Sequence, residues 1–148
     1  MNVETKLQID FIKGDRLYYK KTGNYIILSN GHVGVYLKDG ELKVDTSKMI
    51  EFSSDFLDPD VLLKTRSKAR ITNIARKIRT GDFAILLKSI ENDNKCFVNE
   101  KYLKMFNGFT ELFILSRKDP VLVHRLGKPY GIILPVCCAD EELQEEKQ

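Results

Sequence analysis

The run NYIILSNGHVGVYLK, residues 24–38, restricts the fold more than any other stretch of the chain. Two apolar segments, 25–28 and 33–37, flank Ser29-Asn30-Gly31. Asn-Gly tolerates the positive φ angles of a tight turn, so the pattern predicts a β-hairpin. Asp39-Gly40 offers a second turn of the same kind, and residues 24–45 are expected to form a three-stranded meander. Before it, Leu7, Ile9, Phe11 and Leu17 alternate weakly around a Gly14-Asp15 turn, which predicts an edge strand over residues 6–20.

A chain of 148 residues is one ordinary domain, large enough to bury a core without disulfide or metal staples. Hydrophobic residues at 43% and charged residues at 30% fit a globular chain, and no apolar stretch nears the roughly 20 residues that span a bilayer. The N-terminus has mixed charge and no apolar h-region, so a soluble cytoplasmic protein with no membrane contact is expected. Cys96, Cys137 and Cys138 have neither zinc-site nor disulfide-framework spacing and read as reduced thiols. Residues 1–138 are expected to form a single α+β domain, followed by an acidic C-terminal tail, 139–148.

Charge is unevenly spread. Residues 59–88 hold eight Lys and Arg against two acids, while residues 137–148 hold one against five. Within the basic segment, Asp58-Pro59-Asp60 resembles a helix start and Gly81 a helix stop, with no proline or glycine over 61–80. At 100° per residue, Leu63, Ser67, Ile71, Ile74, Ala75 and Ile78 fall on one side. This spacing predicts one long amphipathic helix with Arg66, Arg70 and Lys77 along one edge and Lys68, Arg76 and Arg79 on the other flank. Like charges at helical spacing repel. A helix without a single acid between Val61 and Gly81 therefore points to an anionic partner, of which the phosphate backbone of nucleic acid is the commonest. The six cations are the expected nucleic-acid contacts, made without base specificity because no zinc-finger spacing or aromatic RNA-binding signature occurs.

The remainder reads mostly as β. Residues 83–87 and 96–98 form strands around the ENDNK turn, and Asn99 caps a short helix over 100–106 that turns Tyr102, Leu103 and Phe106 to the core. Asn107-Gly108 ends that helix, and strands follow over 110–115, 120–126 and 130–136. The fold class expected is thus α+β: antiparallel sheets, one long basic amphipathic helix and one short helix.

The segments CFVNEKYLKMF and ELFILSRKDPVLVHRLGKPYGIILPV resemble the end of a bacterial DNA polymerase sliding clamp subunit. Val98, Asn99, Tyr102, Leu103, Pro120, Val121 and the terminal Leu134-Pro135-Val136 carry the likeness. It implies a processivity-clamp module, with helices facing DNA and sheets outside, serving as a replication accessory. It also implies that Leu134, Pro135 and Val136 help form an apolar pocket for partner peptides. The chain departs from the family in having room for one module rather than three, in beginning with a hairpin where a helix belongs, and in extending past the usual end through Cys137-Cys138 and an acidic tail.

Catalysis is the less favoured class. His32 and His124 lack metal-ligand spacing, Asp55, Asp58 and Asp60 precede a helix where capping explains them, and no glycine-rich loop follows a strand. No catalytic residue, metal or cofactor is expected. Two functions stand in front: a non-catalytic DNA-associated module contacting phosphates, and a protein-interaction or regulatory module whose basic segment docks an acidic partner. The oligomeric state is not legible.

Overall fold

The computed structural model describes residues 18–38, 50–51, 58–106 and 108–136. Ten strands join in one mixed sheet: β1 (Tyr18–Thr22), β2 (Tyr25–Ser29), β3 (Val33–Lys38), β4 (Ile50–Glu51), β5 (Ser67–Lys77), β6 (Phe83–Ser89), β7 (Lys95–Asn99), β8 (Glu111–Ile114), β9 (Val121–Arg125) and β10 (Lys128–Ile133). Two short helices complete the described residues, α1 (Pro59–Thr65) and α2 (Glu100–Met105). The strand order is β4-β1-β2-β3-β10-β9-β8-β5-β6-β7, antiparallel at every pairing except β1 with β4.

The Asn-Gly hairpin forms as its chemistry requires. Asn30 Oδ1 accepts from the backbone N–H groups of His32 and Val33, Gly31 takes φ 91°, and β2 pairs with β3 from Tyr25↔Lys38 to Ser29↔Gly34. Asn99 caps α2 by accepting from Lys101 N at 3.0 Å, and Asp58 caps α1 by accepting from Asp60 N at 2.9 Å. The three C-terminal strands also form, β9 and β10 pairing across the Leu126-Gly127 turn, although β10 runs over Lys128–Ile133 rather than 130–136 and takes in part of the expected GKP connection. Residues 6–17 of the strand expected over 6–20, the Asp39-Gly40 turn and the strand after it, Asp55, Asn107, Cys137, Cys138 and the acidic tail 139–148 lie outside the described residues.

The long basic helix does not exist, and the expected α+β class gives way to a mostly β fold. Helix α1 stops at Thr65, and residues 67–77 form β5, paired with β8 on one side and β6 on the other. Two features of the segment explain the difference. Ile71, Thr72, Ile74 and Ile78 are β-branched and lose side-chain freedom in a helix, whereas they suit a pleated surface. In addition, β5 carries two extra residues between Ile71↔Leu87 and Ala75↔Ile85. This bulge interrupts the alternation of a strand and leaves a spacing that imitates a helical stripe. The stripe is in fact split between the two faces. Ile74 and Ile78 pack with Ala84, Leu86 and Phe97 on one, while Ile71 and Ala75 share the other with Ile85 and Leu87.

The sheet curls until its last strand meets the chain beyond β10. Val136 N donates to Phe97 O at 2.7 Å in an antiparallel bridge, so β10-β9-β8-β5-β6-β7 wraps into a barrel-like ring. Alternate residues point inward: Ile85 and Leu87, Cys96 and Val98, Leu112 and Ile114, Val121 and Val123 form one core, into which α2 sends Leu103 and Phe106. Outside, Leu62 of α1 caps a second cluster of Ile27, Tyr36, Leu122 and Ile132.

Beside α2, β10 shifts register between Pro129 and Gly131, and the Phe106 ring meets Tyr130 edge-on at 5.1 Å. A Cβ on Gly131 would overlap the Phe106 ring and the Gly34 carbonyl. Gly131→Ala is expected to cost about 1–3 kcal/mol in urea unfolding. Adding Phe106→Leu, which removes part of the obstruction, should make the pair of changes less than additive. Strict additivity would show that the ring and the glycine are not packed together.

Candidate nucleic-acid interface

Strands β5 and β6 form one long hairpin whose outer end is pinned. Ile78 N donates to Asp82 O and Gly81 N to Ile78 O, each at 2.9 Å, and Gly81 sits at φ 88°. Thr80 Oγ1 donates to Asp82 Oδ2 at 2.8 Å, Asn99 Nδ2 does so at 3.2 Å, and Lys101 Nζ lies 3.4 Å from the same oxygen. Together these hold the Asp82 carboxyl below its usual range, the Thr80 hydrogen bond contributing most. The acid at the tip therefore stays ionised, with its charge offset by Lys101.

The six expected contact residues part company once the strand replaces the helix. Arg66, at the end of α1, is a structural residue: Nε donates to Pro120 O at 2.8 Å, and Nη1 to Thr65 Oγ1 at 2.8 Å and Leu62 O at 3.4 Å. Half-buried there, its guanidinium is pushed below its ordinary pKa by desolvation, an effect opposed by Asp119 and Tyr36. Lys68 pairs with Glu111 at 3.2 Å. Arg76 is partly buried and donates to Ala75 O at 3.0 Å. Arg70, Lys77 and Arg79 are exposed, and no carboxylate among the described residues pairs with them. The repulsion argument drawn from helical spacing does not apply on a strand. What survives is three outward cations on one pinned hairpin.

They do not share one side. Arg70 lies on the face of Lys68 and Lys88, in register with Lys88 and, one strand further, Lys95. Lys77 lies on the opposite face, directly across from Phe83. That second face continues into a cleft of about 530 Å³ between the β5 bulge and α2. Ile71, Ile85, Leu103, Phe106 and Phe109 form its apolar walls, with Thr72 from the bulge and the Glu100–Lys104 pair, 3.0 Å apart, among its lining. Thr72 Oγ1 holds the bulge open by donating to Leu86 O at 2.8 Å and accepting from Ile74 N at 3.1 Å. Ile71 remains 46% exposed and Phe83 48%, which marks this as an unfinished apolar surface. Sequence reasoning missed both, because only the β5–β6 register places them together.

Leu134, Pro135 and Val136 lie elsewhere. Leu134 N donates to His32 O at 2.9 Å, Val136 closes the ring on Phe97, and none of the three lines the cleft. His32 stacks on Tyr102 of α2 with ring planes 9° apart, which ties the β2–β3 turn to that helix. The Cys96 thiol is buried in the core and pushed up to about 12, which keeps it protonated and inert.

His124 is a buried titratable group of the outer face. It is 5% exposed, meets Phe113 edge-on at 4.9 Å, lies opposite Glu111, and its Nε2 has no partner among the described residues. Burial depresses its pKa, a shift opposed by Glu111 and Asp60. A histidine held neutral binds fewer protons folded than unfolded, so its contribution is unchanged above the unfolded pKa near 6.5. Stability falls as pH drops below that value, by at most about 1.4 kcal/mol per pH unit until the folded form also titrates. Wild-type protein should therefore lose more stability than His124→Leu between neutral and mildly acidic pH. Parallel curves would remove His124 from the account.

Among the described residues, no group of three or more His, Cys, Asp or Glu side chains gathers where it could hold a metal ion. No helix among them is long and apolar enough to cross a membrane. Comparison with protein-family models, curated proteins and solved structures finds no significant match to this chain.

Proposed function

We propose that this chain is a non-catalytic nucleic-acid-associated module that grips the phosphate backbone, without reading bases, through the β5–β6 hairpin. One observation carries the reading: Arg70, Lys77 and Arg79 stand exposed with no carboxylate partner among the described residues, while nearby Asp82, Glu111 and Glu100 already face Lys101, Lys68 and Lys104. Unspent cations on a rigid ribbon gain affinity by releasing counterions from a polyanion. The strand–helix–three-strand order from β7 to β10 is the order that the sliding-clamp resemblance implies; in this reading the chain is a single clamp-like accessory module that works in the cytoplasm.

A second reading, a protein-interaction module whose cationic segment docks an acidic partner, is favoured by the apolar cleft beside the same hairpin.

Under the first reading, affinity for random-sequence duplex falls steeply with salt and is indifferent to sequence. Replacing Arg70, Lys77 and Arg79 together by Gln should flatten the plot of log affinity against log salt by about 0.9 for each phosphate no longer neutralised. Lys128→Gln, on the β9–β10 turn, should change it far less. Titration by fluorescence anisotropy measures both. Wild-type binding that ignores salt, or a triple variant with an unaltered slope, would contradict the proposal.

A further inference from the structure

We propose that the hairpin's preferred ligand is a single-stranded polynucleotide, with the Phe83 ring as the platform on which a base stacks; this rests on the phosphate-binding reading above. Double-stranded nucleic acid presents phosphates outward and hides its base faces, so a duplex engages cations alone. A single strand exposes both, and proteins that hold it without sequence preference combine cations with exposed aromatic rings.

The β5–β6 tip has that combination. Phe83 is 48% exposed although it is the first residue of β6, and it lies directly opposite Lys77, so ring and ammonium share one face. Arg79 follows two residues further along the turn, exposed and without a carboxylate partner among the described residues. Ala75↔Ile85 is the next same-face pair inward, and Ile85 is a wall of the cleft, so the apolar track continues from the platform to Ile71 and Phe109.

The backbone beneath the platform is held in place before any ligand arrives. Strand pairing fixes Phe83 on one side, and the Ile78–Asp82 and Asp82–Asn99 hydrogen bonds fix the turn on the other. Little ordering entropy is then lost on binding. The one carboxylate in the tip, Asp82, is matched by Lys101 at 3.4 Å and does not leave the ligand facing an uncompensated negative charge. Stacking and phosphate attraction are chemically separate, so they can be removed one at a time.

The test compares fluorescently labelled oligothymidylate, oligouridylate and a duplex of matched length at one low salt concentration. Phe83→Ala should weaken binding of both single strands about tenfold and leave the duplex unchanged. The DNA and RNA arms show whether the sugar matters. The chain contains no tryptophan, so Phe83→Trp supplies a lone fluorophore at the platform. Its emission should be quenched by either single strand and not by the duplex, a readout independent of how well the alanine variant folds. A wild type that binds only duplex, or single-strand binding with neither loss in Phe83→Ala nor quenching in Phe83→Trp, overturns this inference and leaves the phosphate reading intact. A wild type that binds none of the three overturns both.

Discussion

Strand β5 has partners on both edges, and most of the molecule's organisation depends on that. Its pairing with β8 through Ser67↔Ile114 to Ala69↔Leu112 joins the C-terminal meander to the β6–β7 unit, and its pairing with β6 carries the hairpin beyond the ring. Without those ladders, the buried faces of β6 and β7 would have no continuous sheet to complete. Val136 could then not meet Phe97 across the seam. The bulge is the second consequence of the same strand. With two extra residues opposite Leu86, β5 cannot follow β6 closely along its whole length, and the gap beside α2 becomes the apolar cleft.

Electrostatics then separates residues that look equivalent in the sequence. Arg66 is spent on carbonyl oxygens where α1 meets the β8–β9 connection, and Lys68 on Glu111. A guanidinium holding two main-chain carbonyls at partial burial is a fastener, and replacing it would be felt as stability rather than affinity. Arg70, Lys77 and Arg79 have no such obligation to a carboxylate among the described residues. A surface ion pair contributes little to stability, so a cation left without one costs the fold little and remains available to a polyanion.

Much of the fold was legible because local chemistry fixes it. Asn30-Gly31, the Asn99 cap and the short apolar runs of β8, β9 and β10 each specify their element within a few residues. Residues 61–80 were not, since the α1 start signal at Asp58-Pro59 is real but serves a seven-residue helix. The bulge between Ile71 and Ala75 then mimics helical spacing over the strand that follows. The site was legible as charge alone. Its aromatic member and its cleft depend on which residue of β6 faces which residue of β5, and on α2 arriving from further along the chain. Neither follows from spacing along one segment.

The central claim is that residues 67–77 are a bulged strand rather than a helix, and backbone NMR tests it most directly. The account predicts cross-strand contacts joining residues 69–71 to 87–89 and 75–77 to 83–85, with the ladder interrupted at 72–74. Sequential i,i+3 contacts running through 67–77 without cross-strand partners would contradict it, and would remove the shared face of Lys77 and Phe83 on which the functional reading depends.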